Sequence, residues 1–218
     1  MQIIRLKKIS NSNESKVILG IDEAGRGAVI GPLIMACFGI RAIDLPTLLK
    51  IPVKDSKELN PLQRSRIFRS LFKMNAEIII TKILPKEIDK NIKKGVNLNI
   101  LEAKAVSSIL GEIKKGDYAY IDSPSTTKSF RKYINQFYNG RIRLFIENRA
   151  DKTRPIVSAA SIIAKVIRDN EIKRISKITN LNFGSGYPSD PKTYMYLSTF
   201  IKKYPEFIRK SWKTLNRL

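Results

Sequence analysis

The chain has 218 residues, enough for a domain that buries about 70% of the surface its unfolded form exposes, so no disulfide or structural metal is needed to hold it together. Forty-one Lys and Arg stand against nineteen Asp and Glu, and a net charge of +22 points to a polyanionic partner, nucleic acid first. There is no histidine and one cysteine, which excludes His-based acid–base catalysis, Cys–His zinc sites and internal disulfides, and suits a reducing cytoplasm.

Residues 1–16 read as an N-terminal extension, loose or hairpin-like, and Met1 to Ser10 lack the apolar core of a secretory signal. Val17 to Ile21 is a continuous apolar run, the mark of a buried strand, and it delivers Asp22 and Glu23 at its end. Adjacent acids in that position repel, so the pair asks for a cation. Gly25-Arg26-Gly27 follows at once. The glycines allow backbone conformations closed to other residues and let main-chain N–H groups approach a ligand, while Arg26 adds a planar cation suited to phosphate.

The longest low-charge stretch, Ala28 to Ile40, is interrupted by Gly31 and Pro32 and is too short to span a bilayer. Within it Leu33 to Ile40 predicts a second strand, with Cys37 as a core residue, and Glu77 to Leu84 a third. Between them Asn60 and Pro61 open a helix as cap and first-turn residue, with Leu62, Phe68, Leu71 and Phe72 as its apolar face. Leu98, Leu101, Ala105 and Ile109 recur at helical spacing and predict a helix from near Asn97 to Leu110.

Tyr118 to Ile121 is a short strand ending on Asp122. Ser123 and Pro124 then open a helix whose Phe130, Tyr133, Ile134, Phe137 and Tyr138 predict a buried stripe, closed by Asn139-Gly140. Arg141 to Ile146 alternates basic and apolar residues, as a half-exposed strand does. Ser158 begins a helix with Ala159, Ile162, Ile163, Val166 and Ile167 on its core face. A turn-rich stretch from Phe183 to Pro191 leads to a final helix around Tyr194 to Lys203. This order predicts an α/β domain with a mixed sheet.

In open α/β sheets ligands gather at the carboxyl ends of strands, which would bring Asp22, Glu23 and Asp122 together. Hard divalent cations take such oxygen ligands, and two of them about 4 Å apart activate a water and stabilise the leaving oxygen of a phosphodiester. A fourth acid stays open on spacing alone. Glu147 and Asp151 follow the Arg141–Ile146 strand, whereas Asp169, inside the later helix and beside Arg168, reads equally well as a salt-bridged acid. Asp151, which precedes the helix, is slightly favoured.

Four blocks in order carry a resemblance: Asp22 to Gly27, Asp55-Ser56-Lys57, Ser158 to Lys165, and Gly184 to Pro191. From about Val17 onward the chain resembles ribonuclease HII, the type 2 ribonuclease H, and its ending Arg209 to Thr214 is similar to the archaeal branch. The glycine-arginine-glycine turn sets it apart from the sister type HIII enzymes. The resemblance implies an RNase H-like fold, a central mixed five-stranded sheet flanked by helices over residues 17–180, with a helical substrate-contacting region over 181–218. It implies a metal-dependent endoribonuclease that cleaves the RNA strand of RNA/DNA hybrids. The same family cuts 5′ to ribonucleotides embedded in duplex DNA, leaving 5′-phosphate and 3′-hydroxyl ends.

By the same resemblance Asp22, Glu23, Asp122 and Asp151 hold Mg²⁺ or Mn²⁺, as a pair of ions, and Asp169 is left as a structural helix residue. Gly25, Arg26 and Gly27 are implied to read the 2′-hydroxyl, the group that separates RNA from DNA. Tyr187 is implied to stack on the sugar after the ribonucleotide, and Lys57, Lys165 and Arg168 fall in blocks that the family places near phosphates. Ala28 departs from the family's usual proline, and no histidine stands near Glu147-Asn148-Arg149; neither departure touches the four acids. A cytoplasmic monomer without membrane association is expected, with no sliding-clamp motif evident at the chain end. The basic stretch Lys202 to Arg217, with Tyr204 and Trp212, fits an electrostatic grip on a duplex. Two rivals remain: a two-metal nuclease or recombinase on the same fold that cuts DNA without a ribose requirement, and a catalytically silent hybrid-binding module.

Overall fold

The protein is described by a computed structural model over residues 1–10, 15–53, 59–200 and 205–217. Strands β1 (Gln2–Lys7), β2 (Val17–Ala24), β3 (Leu33–Arg41), β4 (Glu77–Ile83), β5 (Tyr118–Asp122) and β6 (Arg143–Glu147) form one mixed sheet in the order β1-β4-β3-β2-β5-β6. β1 to β4 pair antiparallel, and β5 joins β2 in parallel, as β6 joins β5. Helices α1 (Leu45–Leu49), α2 (Pro61–Lys73), α3 (Pro85–Lys93), α4 (Leu98–Glu112), α5 (Thr127–Ile134), α6 (Ala150–Thr153), α7 (Pro155–Thr179) and α8 (Pro191–Phe200) complete the described chain.

The expected five strands are six. β1, in the segment read as loose or hairpin-like, pairs with β4 at the sheet edge, and Arg5 Nε meets Glu77 Oε1 at 2.8 Å. Ile4 and Leu6 alternate onto one face and pack on the core, a two-residue period too short to stand out in so polar a segment.

Alternation on the central strands feeds two apolar layers. Leu19, Ile21, Met35 and Cys37 face α4 and α5, whereas Ile34, Ala36 and Phe38 face α2 and α7. Burial pushes the Cys37 thiol up, as befits a core residue. A third cluster joins Val29, Ile30 and Ile172 to Phe183, Tyr196, Leu197, Ile208 and Leu215, so the C-terminal region shares a core with the chain just after β2.

Helix starts follow the caps. Asn60 and Gln63 form a reciprocal capping box at α2, and Asn97 accepts from the Ile100 N–H at α4. Two predicted faces need correction. α2 buries Ile67 and Leu71 and leaves Leu62 and Phe72 exposed, because Leu62 lies in the first turn on the opposite side. α5 stops at Ile134, so Phe137 leaves the buried stripe and instead lies under Lys104 Nζ, 5.1 Å from the ring centroid.

The long helix α7 crosses β2 and β3. A Cβ at Gly20 would collide with the Ile156 carbonyl, so glycine lets the start of α7 lie directly on β2. That contact brings α7 residues within reach of Asp22.

Candidate active site

β2 and β5 run in parallel and end side by side, Ile21 opposite Ile121, which carries Asp22 and Asp122 to one edge of the sheet. Carboxylate oxygens of Asp22, Glu23 and Asp122 all lie within 4.8 Å of one another. Asp22 Oδ1 accepts from the Glu23 N–H at 2.7 Å, and Asp122 Oδ1 accepts from the Ala150 N–H at 2.5 Å. The second bond ties β5 to α6, where Asp151 sits buried; its charge helps raise the pKa of Asp122. Asp151 therefore flanks the three-acid group and is not within it. Asp169 lies elsewhere, paired with Arg64 Nη2 at 3.0 Å.

Burial is the first cause of the electrostatics here. It raises Glu23 to about 7, with the charges of Glu102 and Asp122 adding to the effect. Burial and the Asp22 charge raise Asp122 to about 7. Asp22 is pushed well up by burial and by Glu23, opposed by a hydrogen bond from Ser161 and by the Lys165 charge. Lys165 Nζ donates to Ser161 Oγ at 2.8 Å, so this lysine acts on Asp22 across a short chain on α7.

The buried oxygen Glu23 Oε2 finds no hydrogen-bond partner among the described residues. Clustered acids with raised pKa values and an orphaned carboxylate oxygen make a donor set that fits a hard divalent cation.

The sign of the linkage gives a test. Glu23 and Asp122 have folded pKa values near 7 against ordinary values of 4.5 and 3.8. The fold thus holds protons that the unfolded chain releases, and stability falls as pH rises through roughly 4 to 7. Without metal, the melting temperature is expected to drop between pH 5 and pH 8 more in the wild type than in a Glu23→Gln/Asp122→Asn variant. Mg²⁺ should restore the wild type chiefly at pH 8. Equal pH trends in the two proteins by scanning fluorimetry would refute the assignment.

The turn after β2 is held from below. Gly25 has φ +88°, and a Cβ there would lie 2.7 Å from Arg168 Nε and 2.8 Å from the Pro32 carbonyl. Gly27 does not use the backbone freedom that glycine allows. Its φ is ordinary, and a Cβ there would meet nothing within 4 Å, so the space above it is open. The Arg26 guanidinium is turned inward, paired with Glu102 and donating to Asn99 Oδ1 at 2.8 Å. Glu102 is fully buried, and burial lifts it to about 7 against the pull of Arg26.

Three segments are tied together at this turn. The Gly25 N–H donates to Tyr187 Oη at 3.1 Å, and the Val29 and Ile30 N–H groups donate to the Gly186 carbonyl at 2.9 and 3.1 Å. Arg168 is buried beneath them, donating to the Ser185 carbonyl at 2.7 Å and lying 4.3 Å from the Tyr187 ring centroid. From the C-terminal segment, the Arg209 side chain donates to the Arg26 carbonyl at 2.9 Å and the Gly31 carbonyl at 3.1 Å. Burial pushes Arg209 down to about 9, and its guanidinium stacks 4.8 Å from the Trp212 ring centroid.

The fold therefore gathers Asp22, Glu23, Asp122, Asp151, Lys165, Gly25, Arg26, Gly27 and Tyr187 along one edge. Arg168 is there as a buried support. Lys57 lies outside the described residues, as does Tyr204. Glu102, Asn99 and Arg209 were not singled out from the sequence. For Glu102 a signal existed: it falls on the helix face of Leu98 and Ala105, where an acid interrupts an apolar stripe.

The family model described as ribonuclease HII matches residues 19–215. The chain is 42% identical over 202 residues to the ribonuclease HII of Caldivirga maquilingensis, covering 91% of this chain and 93% of that one. It superposes with a TM-score of 0.83 on the ribonuclease H2 of Pyrococcus horikoshii OT3, 36% identical, over 92% of this chain and 96% of the other. The ribonuclease HII of Archaeoglobus fulgidus, solved in complex with PCNA, gives a TM-score of 0.79 at 33% identity, over 90% and 95% of the two chains. With the RNase H-like sheet, the acids at its edge and a match over nearly its whole length, the chain belongs to the ribonuclease HII family of endoribonucleases.

Proposed function

We propose that this protein hydrolyses the RNA strand of RNA/DNA hybrids and cuts 5′ to single ribonucleotides within duplex DNA, leaving 5′-phosphate and 3′-hydroxyl ends. The observation that carries the reading is the three-acid group with its orphaned Glu23 oxygen, next to the open space above Gly27. Asp22, Glu23, Asp122 and Asp151 would hold Mg²⁺ or Mn²⁺, as a pair of ions. Divalent cations supply an activated water and neutralise charge developing at the phosphodiester. The chain's own part is positioning. The Glu23 and Ala150 N–H groups fix the Asp22 and Asp122 carboxylates, and Lys165 balances Asp22 through Ser161.

Selection falls to the turn. With Arg26 engaged by Glu102, it is the backbone of Gly25 to Gly27 that meets a ribose in the open space, and a nearby main-chain group can read a 2′-hydroxyl. Tyr187 has Arg168 on one ring face and would place a sugar on the other. We read the protein as a cytoplasmic monomer; no helix among the described residues is long and apolar enough to cross a membrane. Whether it shares the PCNA contact of the Archaeoglobus relative is decided by co-elution with a sliding clamp.

The central test is cleavage of a duplex with one embedded ribonucleotide, mapped at nucleotide resolution with and without Mg²⁺. An all-DNA duplex is the control. A cut in the all-DNA control would favour the nuclease without ribose requirement, and no cut on any substrate would favour the silent binder.

Tyr187 gives a finer test. Tyr187→Phe keeps the ring over Arg168 and removes the acceptor for the Gly25 N–H, while Tyr187→Ala removes both. Cleavage at a single ribonucleotide, relative to a uniform hybrid, is expected to fall several-fold in the first and about tenfold or more in the second, each lost contact being worth about 1 kcal/mol. Equal losses on both substrates would remove the junction role.

A further inference from the structure

A second basic feature lies outside the acid cluster. Helix α3 places Lys86, Lys90 and Lys93 on its exposed side, with Lys94 exposed at its C-cap, and Ile208 and Lys210 of the C-terminal segment close a groove of about 520 Å³ against it. Lys86, Lys90 and Lys94 stand at i, i+4 and i+8, an arrangement of like charges that weakens an isolated helix. The acids in the groove do not relieve it. Asp89 is buried and already accepts from the Lys210 and Ser211 N–H groups and from Ser211 Oγ, at 2.9, 2.9 and 2.6 Å. Glu206 lies 3.9 Å from Lys86 alone, and both are highly exposed. Five lysines thus converge with one free-standing acid among them.

The groove is joined to the turn by a single residue. Ile208 and Lys210 line it, whereas Arg209 between them points the other way, to the Arg26 and Gly31 carbonyls. The groove and the turn thus flank one short segment of the chain.

We propose that this groove, on the reading that the substrate is a duplex, binds the phosphate backbone of the flank outside the cleavage position. From Lys86 to Lys94 the helix advances about 12 Å, the rise of about three or four nucleotides of one strand. The lysines are long, exposed and unselective among sequences, as a backbone contact requires. The groove therefore lengthens the footprint and leaves the choice of ribonucleotide to the turn.

The test compares binding of a short duplex, confined to the cleavage region, with a long one carrying flanks on both sides. Each holds one ribonucleotide, and EDTA prevents cutting. Anisotropy titrations over a salt series would use the wild type, the Lys90→Ala/Lys94→Ala/Lys210→Ala variant and the matching triple arginine variant. The alanine variant is expected to lose about tenfold or more of the long-duplex advantage, and its slope of log Kd against log salt should fall by about 2.7. The arginine variant should keep both. An alanine variant with the wild-type slope and the wild-type long-to-short ratio would overturn the proposal, as it would if the groove served an acidic protein partner. Failure of the ribonuclease reading shows separately, as absence of cleavage by the wild type.

Discussion

Replacing Asp22 or Asp122 with asparagine is expected to lower cleavage of a ribonucleotide-containing duplex by at least about 10³-fold while duplex binding is retained. Asparagine keeps an oxygen for the Glu23 N–H or the Ala150 N–H, so the local hydrogen bonds survive. What is removed is one charge from a group of three carboxylates within 4.8 Å. That charge is disfavoured by burial, so each variant should melt higher than the wild type at pH 8 without metal. A damaged fold would move the melting temperature the other way, which separates lost chemistry from lost structure. Full activity in either variant, measured at saturating substrate, would end the metal assignment.

Arg209→Ala is expected to destabilise the protein by about 3 kcal/mol or more, because it strips a buried cation from two carbonyls and opens space beside Trp212. Arg209→Lys is the sharper variant. A lysine keeps the charge but cannot reach the Arg26 and Gly31 carbonyls with a planar fork. The turn that carries Gly25 and Gly27 would then be held at one end only. The lysine variant should fold and cut a uniform hybrid, yet lose about tenfold in preference for a single ribonucleotide, the size of one lost charge-assisted hydrogen bond. An unchanged preference, measured as a ratio of kcat/KM values, would show that Arg209 serves stability alone.

The two variants also divide what could be read from the chain. Asp22, Glu23 and Asp122 were legible because each sits at a strand end whose apolar run announces it, and parallel pairing of β2 and β5 does the rest. Asn60 was legible as a cap because capping is local, and the apolar spacing placed the next helix start near Asn97, whose capping role only the structure shows. The partners of buried charges were not. Arg26 meets Glu102 across 76 residues and Arg209 reaches Arg26 across 183, and no spacing rule connects such positions. Arg168 shows the same limit: a charged residue on a helix reads as a solvated or phosphate-facing group, yet here it is buried under Tyr187. β1 escaped because its pairing with β4 depends on a strand seventy residues later.

The ties among the turn, the Gly186 loop and Arg209 also set an order of assembly. Synthesis runs from the N-terminus, so Asp22, Glu23 and the glycine turn emerge early, and Tyr187 and Arg209, which tie the turn down, emerge after the last strand. A nascent chain that has not yet released Arg209 can complete its sheet and bring Asp22, Glu23 and Asp122 together, since none of these needs the C-terminal segment. The turn then has its Arg26–Glu102 pair but not its tie to Arg209. The acid cluster and the tied turn therefore mature at different times, the turn gaining its Tyr187 and Arg209 contacts only after the sheet strands are made.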